Sequence, residues 1–403
     1  MAVGLQMPTD LYPVQGIRLG SLHCGIKADD SVKDLALIEI AAGASVAAVF
    51  TRSHFCAAPV TLCKQHLAQT HGARYLLINS GNANAATGRQ GLDNARQCCA
   101  AVAAAAAVSV EQVLPFSTGV IAEQLRVEPI VNAVPELLGT LDVNGWLASA
   151  EAIMTTDTIP KAVSQQLQID GQPVSITGIA KGSGMIKPDM ATMLSYIATD
   201  ASIEQAELAA MLDLLVASSF NCITVDGDTS TNDSCVLIAT GASGIGVDRN
   251  HDEFFAALRR VFEQLAQAII RDAEGATKFV EITVQGAADE ADARSIGFTI
   301  AESPLVKTAL FASDPNWGRF IMAIGRSRVR QIDVDRLDLY LGPVRLLHRG
   351  LPDPEYREEL GQAEMSREEI SVRVDLNLGD ASTRIWTSDL SYEYVKINAE
   401  YRS

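Results

Sequence analysis

From Ile370 to Leu378 every second residue is apolar. Ile370, Val372, Val374, Leu376 and Leu378 alternate with Ser371, Arg373, Asp375 and Asn377. A period of two sends successive side chains to opposite faces of a strand, so this segment predicts sheet and excludes helix. Val280–Val284 alternates in the same way, residues 36–51 read as two strands about Ala42-Gly43, and Tyr75–Ile78 reads as a further strand ending at Asn79. Other segments carry helical spacing. Leu208, Met211, Leu212 and Leu215 follow Ser202, with Gln205 three residues on to complete a capping box, and Phe254, Leu258, Val261, Phe262, Leu265 and Ile269 form a second stripe. Both stripes are amphipathic and predict core-facing helices. Strands and helices mix without strict βαβ alternation, which predicts an α/β (α+β) layered sandwich, with sheets packed between helices, rather than a barrel.

A chain of 403 residues is long enough for two or three domain-sized units or one large interlocked body. Its net charge of −17 argues against a nucleic acid or an acidic membrane as partner. The apolar run Ala100–Val108 is too short to span a bilayer and predicts a tightly packed helical segment. The N-terminus carries Asp10 and has no basic start followed by an apolar core, so a cytoplasmic location is expected. Seven cysteines without a CxxC pair fit reduced thiols better than disulfides or zinc, and the adjacent Cys98 and Cys99 read as small buried filler.

Seven polar, glycine-rich segments stand out against these elements: Asn79–Asn84, Ser117–Val120, Thr155–Thr158, Lys181–Gly184, Asp226–Asp233, Glu274–Lys278 and Asp314–Arg319. Loops held on a rigid scaffold are where functional groups concentrate, so together they predict one composite site. None of the six histidines lies in them, which argues against a Ser-His-Asp or Cys-His engine. The Asp226–Asp233 loop lacks the glutamate and spacing of a calcium-binding EF-hand and reads as a structural turn near the site, with no metal expected. Trp317 and Arg319 read either as a pocket wall or as an anchor of the fold.

The stretch Lys181–Leu194 places Thr192 after the small residue Ala191. Gly-Ser-Gly ordinarily marks a turn, and an Ala-Thr pair arises by chance in most chains of this size. If the bond before Thr192 is cut, however, its new α-amino group, with a pKa of about 7.7–8.0, becomes a base for its own hydroxyl.

These segments, together with Phe50-Thr51, Ala57–Val60, Met154–Thr158, Ile223–Asp233 and the terminal Tyr394–Ser403, resemble the ornithine acetyltransferases, the bifunctional glutamate N-acetyltransferases of arginine biosynthesis, almost end to end. The resemblance implies self-cleavage between Ala191 and Thr192 into an α chain (1–191) and a β chain (192–403), interlocked and paired as α2β2. It implies transfer of acetyl from N2-acetylornithine to glutamate by a ping-pong route through acetyl-Thr192, with Thr118 and Gly119 as the oxyanion hole. It places Thr155, Lys181, Glu274, Asn398 and Ser403 at the substrate, with Thr156 and Thr158 as alternatives to Thr155. Lys181 is suited to a substrate carboxylate and Glu274 to the ornithine ammonium. No cofactor is implied; some family members also take acetyl-CoA as donor, and no motif here distinguishes them. A self-processed amidohydrolase using water as acceptor, and an acidic binding protein with a structural Thr192, are the competing readings. The sequence departs from the family pattern at Ala122, where glycine is expected, at Ala86 in place of cysteine, at Asp189 in place of asparagine, and at Ser403 in place of a terminal threonine.

Overall fold

The computed structural model describes residues 2–69, 72–187 and 193–400. Among the described residues, three sheets carry the fold. The first orders its strands Ile17–Leu22, Leu35–Ile40, Tyr75–Asn82 and Val113–Val120. The second runs Ser45–Phe50, Ser234–Ala239, Leu194–Thr199, Gln172–Lys181 and Lys161–Ile169. The third has seven strands, with Phe279–Ala287 lying between Glu369–Asp375 and Ala381–Ser388.

The first two sheets pack face to face. Ile38, Ile78, Leu114 and Phe116 of one meet Val46, Ile179, Tyr196 and Val236 of the other in a single apolar layer, and the Phe116 and Tyr196 rings meet edge to face at 5.2 Å. The outer face of the first sheet is covered by the helices Gly88–Ala106 and Val127–Gly139. On the second sheet lie Gln205–Ala217 and Asp252–Arg271, whose core is continuous with that of the third sheet. This is the layered sandwich of sheets between helices that the periodicities predict.

The alternating segments form strands, but the one expected over Ile370–Leu378 ends at Asp375, where Asn377 turns the backbone to φ 53°. Ile370, Val372 and Val374 are buried in Glu369–Asp375, and every member of the Phe254–Ile269 stripe is buried. The two strands about Ala42-Gly43 are present but do not pair with each other. Leu35–Ile40 joins the first sheet and Ser45–Phe50 the second, so the turn carries the chain from one layer to the next. The capping box is also corrected. The helix begins at Gln205 and its cap is Glu204, whose carboxylate accepts the N–H groups of Ala206 and Glu207 at 2.8 and 3.1 Å. Gln205 instead reaches sideways, its amide exchanging hydrogen bonds with the backbone of Val46 at 2.9 and 3.0 Å. A neighbouring strand outbids the local cap. Cys98 and Cys99 are buried filler as expected, and all seven thiols are free. Among the described residues no helix is long and apolar enough to cross a membrane.

Candidate active site

The parallel strands Tyr75–Asn82 and Val113–Val120 lie in register with Ser80 opposite Thr118 and Gly81 opposite Gly119. In the second sheet Lys181, at the end of its strand, pairs with Leu194, at the start of the next, and Leu194 pairs with Ser234. Strand ends from both sheets therefore meet at one edge of the sandwich. A cavity of about 270 Å³ opens there, lined by Thr118, Gly119, Thr155, Thr156, Lys181, Glu274 and Asn398 among others. Met193 and Leu194 also line it. Ala191, Thr192 and Ser403 lie outside the described residues.

Lys181 is the hub. Its ammonium donates to the Thr155 hydroxyl at 2.9 Å and to the Thr118 hydroxyl at 3.3 Å. An ammonium has no acceptor capacity, so both hydroxyls accept here and each keeps its own proton for another partner. Burial lowers the Lys181 pKa, and the nearby Asp157 carboxylate opposes that fall. Glu274, itself buried, accepts from the Asn398 amide at 2.7 Å. Gly184 lies so close to the Glu274 carboxylate that any side chain there would collide with it.

Gly119 explains the glycine in Ser117–Val120. Its φ is 132°, and a Cβ at this position would fall 2.5 Å from the Asn82 nitrogen and closer still to the Gly81 carbonyl carbon. Only glycine lets the two strands approach this closely. Asn232 holds the same corner. Its amide donates to the carbonyls of Ala83 and Ser117 at 2.6 and 2.9 Å, bridging the residue that follows the first strand to the second strand itself.

The remaining expectations sort by contact. Thr158 does not line the cavity, because its hydroxyl donates to Asp272 instead. Arg319 donates to the Leu305 carbonyl at 2.8 Å and Trp317 packs edge to face with Tyr356, so both anchor the fold. In the Asp226–Asp233 loop, the Asp226 carboxylate accepts the N–H groups of Met185 and Ile186 at 2.7 and 3.0 Å, tethering the segment that leads towards Ala191. Met185 itself stands at φ 56°, a left-handed conformation that costs a non-glycine residue about 1–2 kcal/mol. Ala122, in place of the expected glycine, has φ 66°, a left-handed conformation that favours glycine.

Sequence reasoning passed over Asp157, Lys161, Asn232, Asp233 and Asp272. Asp233 lines the cavity, is 3% exposed, and its Oδ2 has no hydrogen-bond partner among the described residues. Burial drives its carboxyl well above the usual range against the pull of Ser230 and Lys181. Nothing in a lone Asn-Asp pair signals this, since the burial comes from chain remote in sequence, the strands that begin at Leu194 and end at Phe50 flanking the one that Asp233 leads into.

The chain is similar to known proteins over nearly its whole length. A model of the ArgJ family matches residues 18–403. The chain is 50% identical to the arginine biosynthesis bifunctional protein ArgJ of Pseudomonas fluorescens over 408 aligned positions, with all of both chains covered. It is 52% identical to the protein of the same name from Methylococcus capsulatus, over 98% of this chain and 97% of that one. A crystal structure of the arginine biosynthesis bifunctional protein argJ from Bacillus halodurans aligns at 39% identity and a TM-score of 0.48, over 50% of this chain and 96% of the other.

Proposed function

The chain belongs to the ArgJ family, and on that premise we propose that it is an acetyltransferase of arginine biosynthesis that moves acetyl from N2-acetylornithine to glutamate. Cleavage between Ala191 and Thr192 frees the threonine's amine. The Thr192 hydroxyl then attacks the acetyl carbonyl, and its proton passes to the α-amine. Charge that develops on the carbonyl oxygen is met by the Thr118 hydroxyl and the Gly119 N–H. The tetrahedral adduct collapses by breaking the C–N bond, the α-amine returns its proton to the leaving nitrogen, and ornithine departs. Glutamate's amine attacks acetyl-Thr192 by the reverse sequence, giving N-acetylglutamate and free enzyme.

What supports this reading is the single cavity that gathers Thr118, Gly119, Thr155, Lys181, Glu274 and Asn398 from five separate segments of chain. Lys181 offers a cation to the carboxylate shared by both substrates, and Glu274 offers an anion to the ornithine ammonium. Thr118, already accepting from Lys181, keeps its hydroxyl proton for the oxyanion. The enzyme acts on small molecules, with the two pieces assembled as α2β2. Acetyl-CoA serves as a second donor if the chain follows the bifunctional members of its family.

Purified protein given N2-acetylornithine and glutamate should yield N-acetylglutamate and ornithine in equal amounts. Release of acetate without glutamate would favour a hydrolase. Thr192→Ala should run as one uncut chain and be inactive; normal cleavage of that variant would remove Thr192 from the mechanism.

A further inference from the structure

Beneath the cavity lies a set of buried charges that this reaction leaves without a role. Lys161 is 1% exposed and donates to Asp157 Oδ1 and Asp272 Oδ2, each at 2.6 Å. The same Asp157 carboxylate accepts the backbone N–H of Thr155 at 2.9 Å and that of Gly182 at 2.8 Å. Its Oδ2 lies 4.0 Å from the Lys181 ammonium. Asp272 in turn accepts the Thr158 N–H at 2.9 Å, and its backbone carbonyl accepts the Ser183 hydroxyl at 2.9 Å. The Ser183 carbonyl then takes the Glu274 N–H at 2.9 Å. Two lysines and two aspartates balance, yet only Lys181 lines the cavity beside Thr155 and Glu274.

Charges removed from water are costly unless every one is paired, and a matched apolar cluster would often be no less stable. Stability alone therefore gives a weak reason for four buried charges under a binding cavity. Their bonds give a stronger one, because each ends on a segment that forms the cavity wall. We propose that Asp157 is the positioning residue of this site: it fixes Lys181 against the Thr118 and Thr155 hydroxyls and, through Lys161 and Asp272, holds that cluster in register with Glu274.

The geometry follows from one carboxylate holding two backbone N–H groups. Thr155 and Gly182 are caught by the same two oxygens, which brings the Thr155 hydroxyl and the Lys181 side chain together. The charge follows as well. Lys181 faces Asp157 from the loop before the Lys161–Ile169 strand, Lys161 from that strand, Asp233 from the loop before Ser234, and Glu274 from the loop after Arg271, with Lys27 also near. Burial and the Lys161 charge both disfavour the Lys181 ammonium, while Asp157 heads the groups that sustain it. Asp157 is itself an anion throughout: burial raises its pKa, but the two lysines and its hydrogen bonds hold it below the ordinary carboxyl range.

The kinetic part of the test rests on the reading that Lys181 binds a substrate carboxylate; the labelling part does not. Lys181 in the substrate-free protein is labelled with acetic anhydride across a pH series and quantified by peptide mass. In Asp157→Asn its titration should move down by about one pH unit, a tenfold change in the charged-to-neutral ratio. In the double variant Lys161→Met/Asp272→Asn, which removes one cation and one anion, it should move up. A merely structural role would not move the two in opposite directions. An unchanged Lys181 titration in folded Asp157→Asn would overturn the proposal. If that variant does not fold, the double variant decides alone, and a titration that fails to rise would contradict it. In steady-state assays Asp157→Asn should raise KM for acetylornithine far more than it lowers kcat. Shifted labelling with unchanged KM would leave the positioning role standing and reject Lys181 as the carboxylate site.

Discussion

Asp233 and Asp157 are two buried carboxyls with opposite signs. Asp157 is held below the ordinary carboxyl range once its lysines overcome burial, so its contribution to stability is present at neutral pH and lost on acidification. Asp233 is pushed well above that range, with burial dominant, and its contribution is present at low pH and lost as pH rises from the unfolded carboxyl pKa towards the raised folded value. Asp233→Asn removes the second dependence. Thermal melts of wild type and variant from pH 5 to 8 should show the variant gaining on wild type as pH rises; a constant gap would mean that Asp233 is ionised across that range.

At the scale of elements, the paired strands Tyr75–Asn82 and Val113–Val120 carry the Thr118–Gly119 corner, and their approach depends on the missing side chain at Gly119. Gly119→Ala should push the corner apart and cost kcat about 10²–10³-fold, the usual range for losing an oxyanion-hole donor. Circular dichroism should remain native, and full activity in this variant would mean that the reaction does not depend on the close approach of the two strands at Gly119. Elements with strong periods were legible in the sequence alone. The Glu369–Asp375 alternation and the Phe254–Ile269 stripe each follow from local side-chain order. Their partners were not. Nothing local tells that residues 35–40 and 45–50 enter different sheets, or that Gln205 prefers the Val46 backbone to its own helix end.

The whole molecule is interlocked across the expected junction. In the second sheet Leu194–Thr199 and Ser234–Ala239 lie between Ser45–Phe50 on one side and Gln172–Lys181 on the other, so two strands from after residue 191 are flanked on both sides by strands from before it. The buried Lys161–Asp272 pair crosses the same divide. Pieces cut at this junction would share the core between the first two sheets and the core between the second and third, each built from residues on both sides of it. The site divides in the same way between legible and hidden. Thr118, Lys181 and Glu274 were readable because their glycine-flanked loops resemble a family. Asp157 and Lys161 were hidden because their meaning lies in the distant Asp272. The most direct test of Thr192 as nucleophile is to incubate the purified protein with N2-acetylornithine alone, quench it in acid, and fragment the peptides by mass spectrometry. The account predicts a peptide beginning Thr192-Met193-Leu194 that carries one acetyl group on the Thr192 hydroxyl and loses it when glutamate is added. An uncut Ala191–Thr192 bond in active enzyme, or an acetyl group on any other side chain, would contradict it.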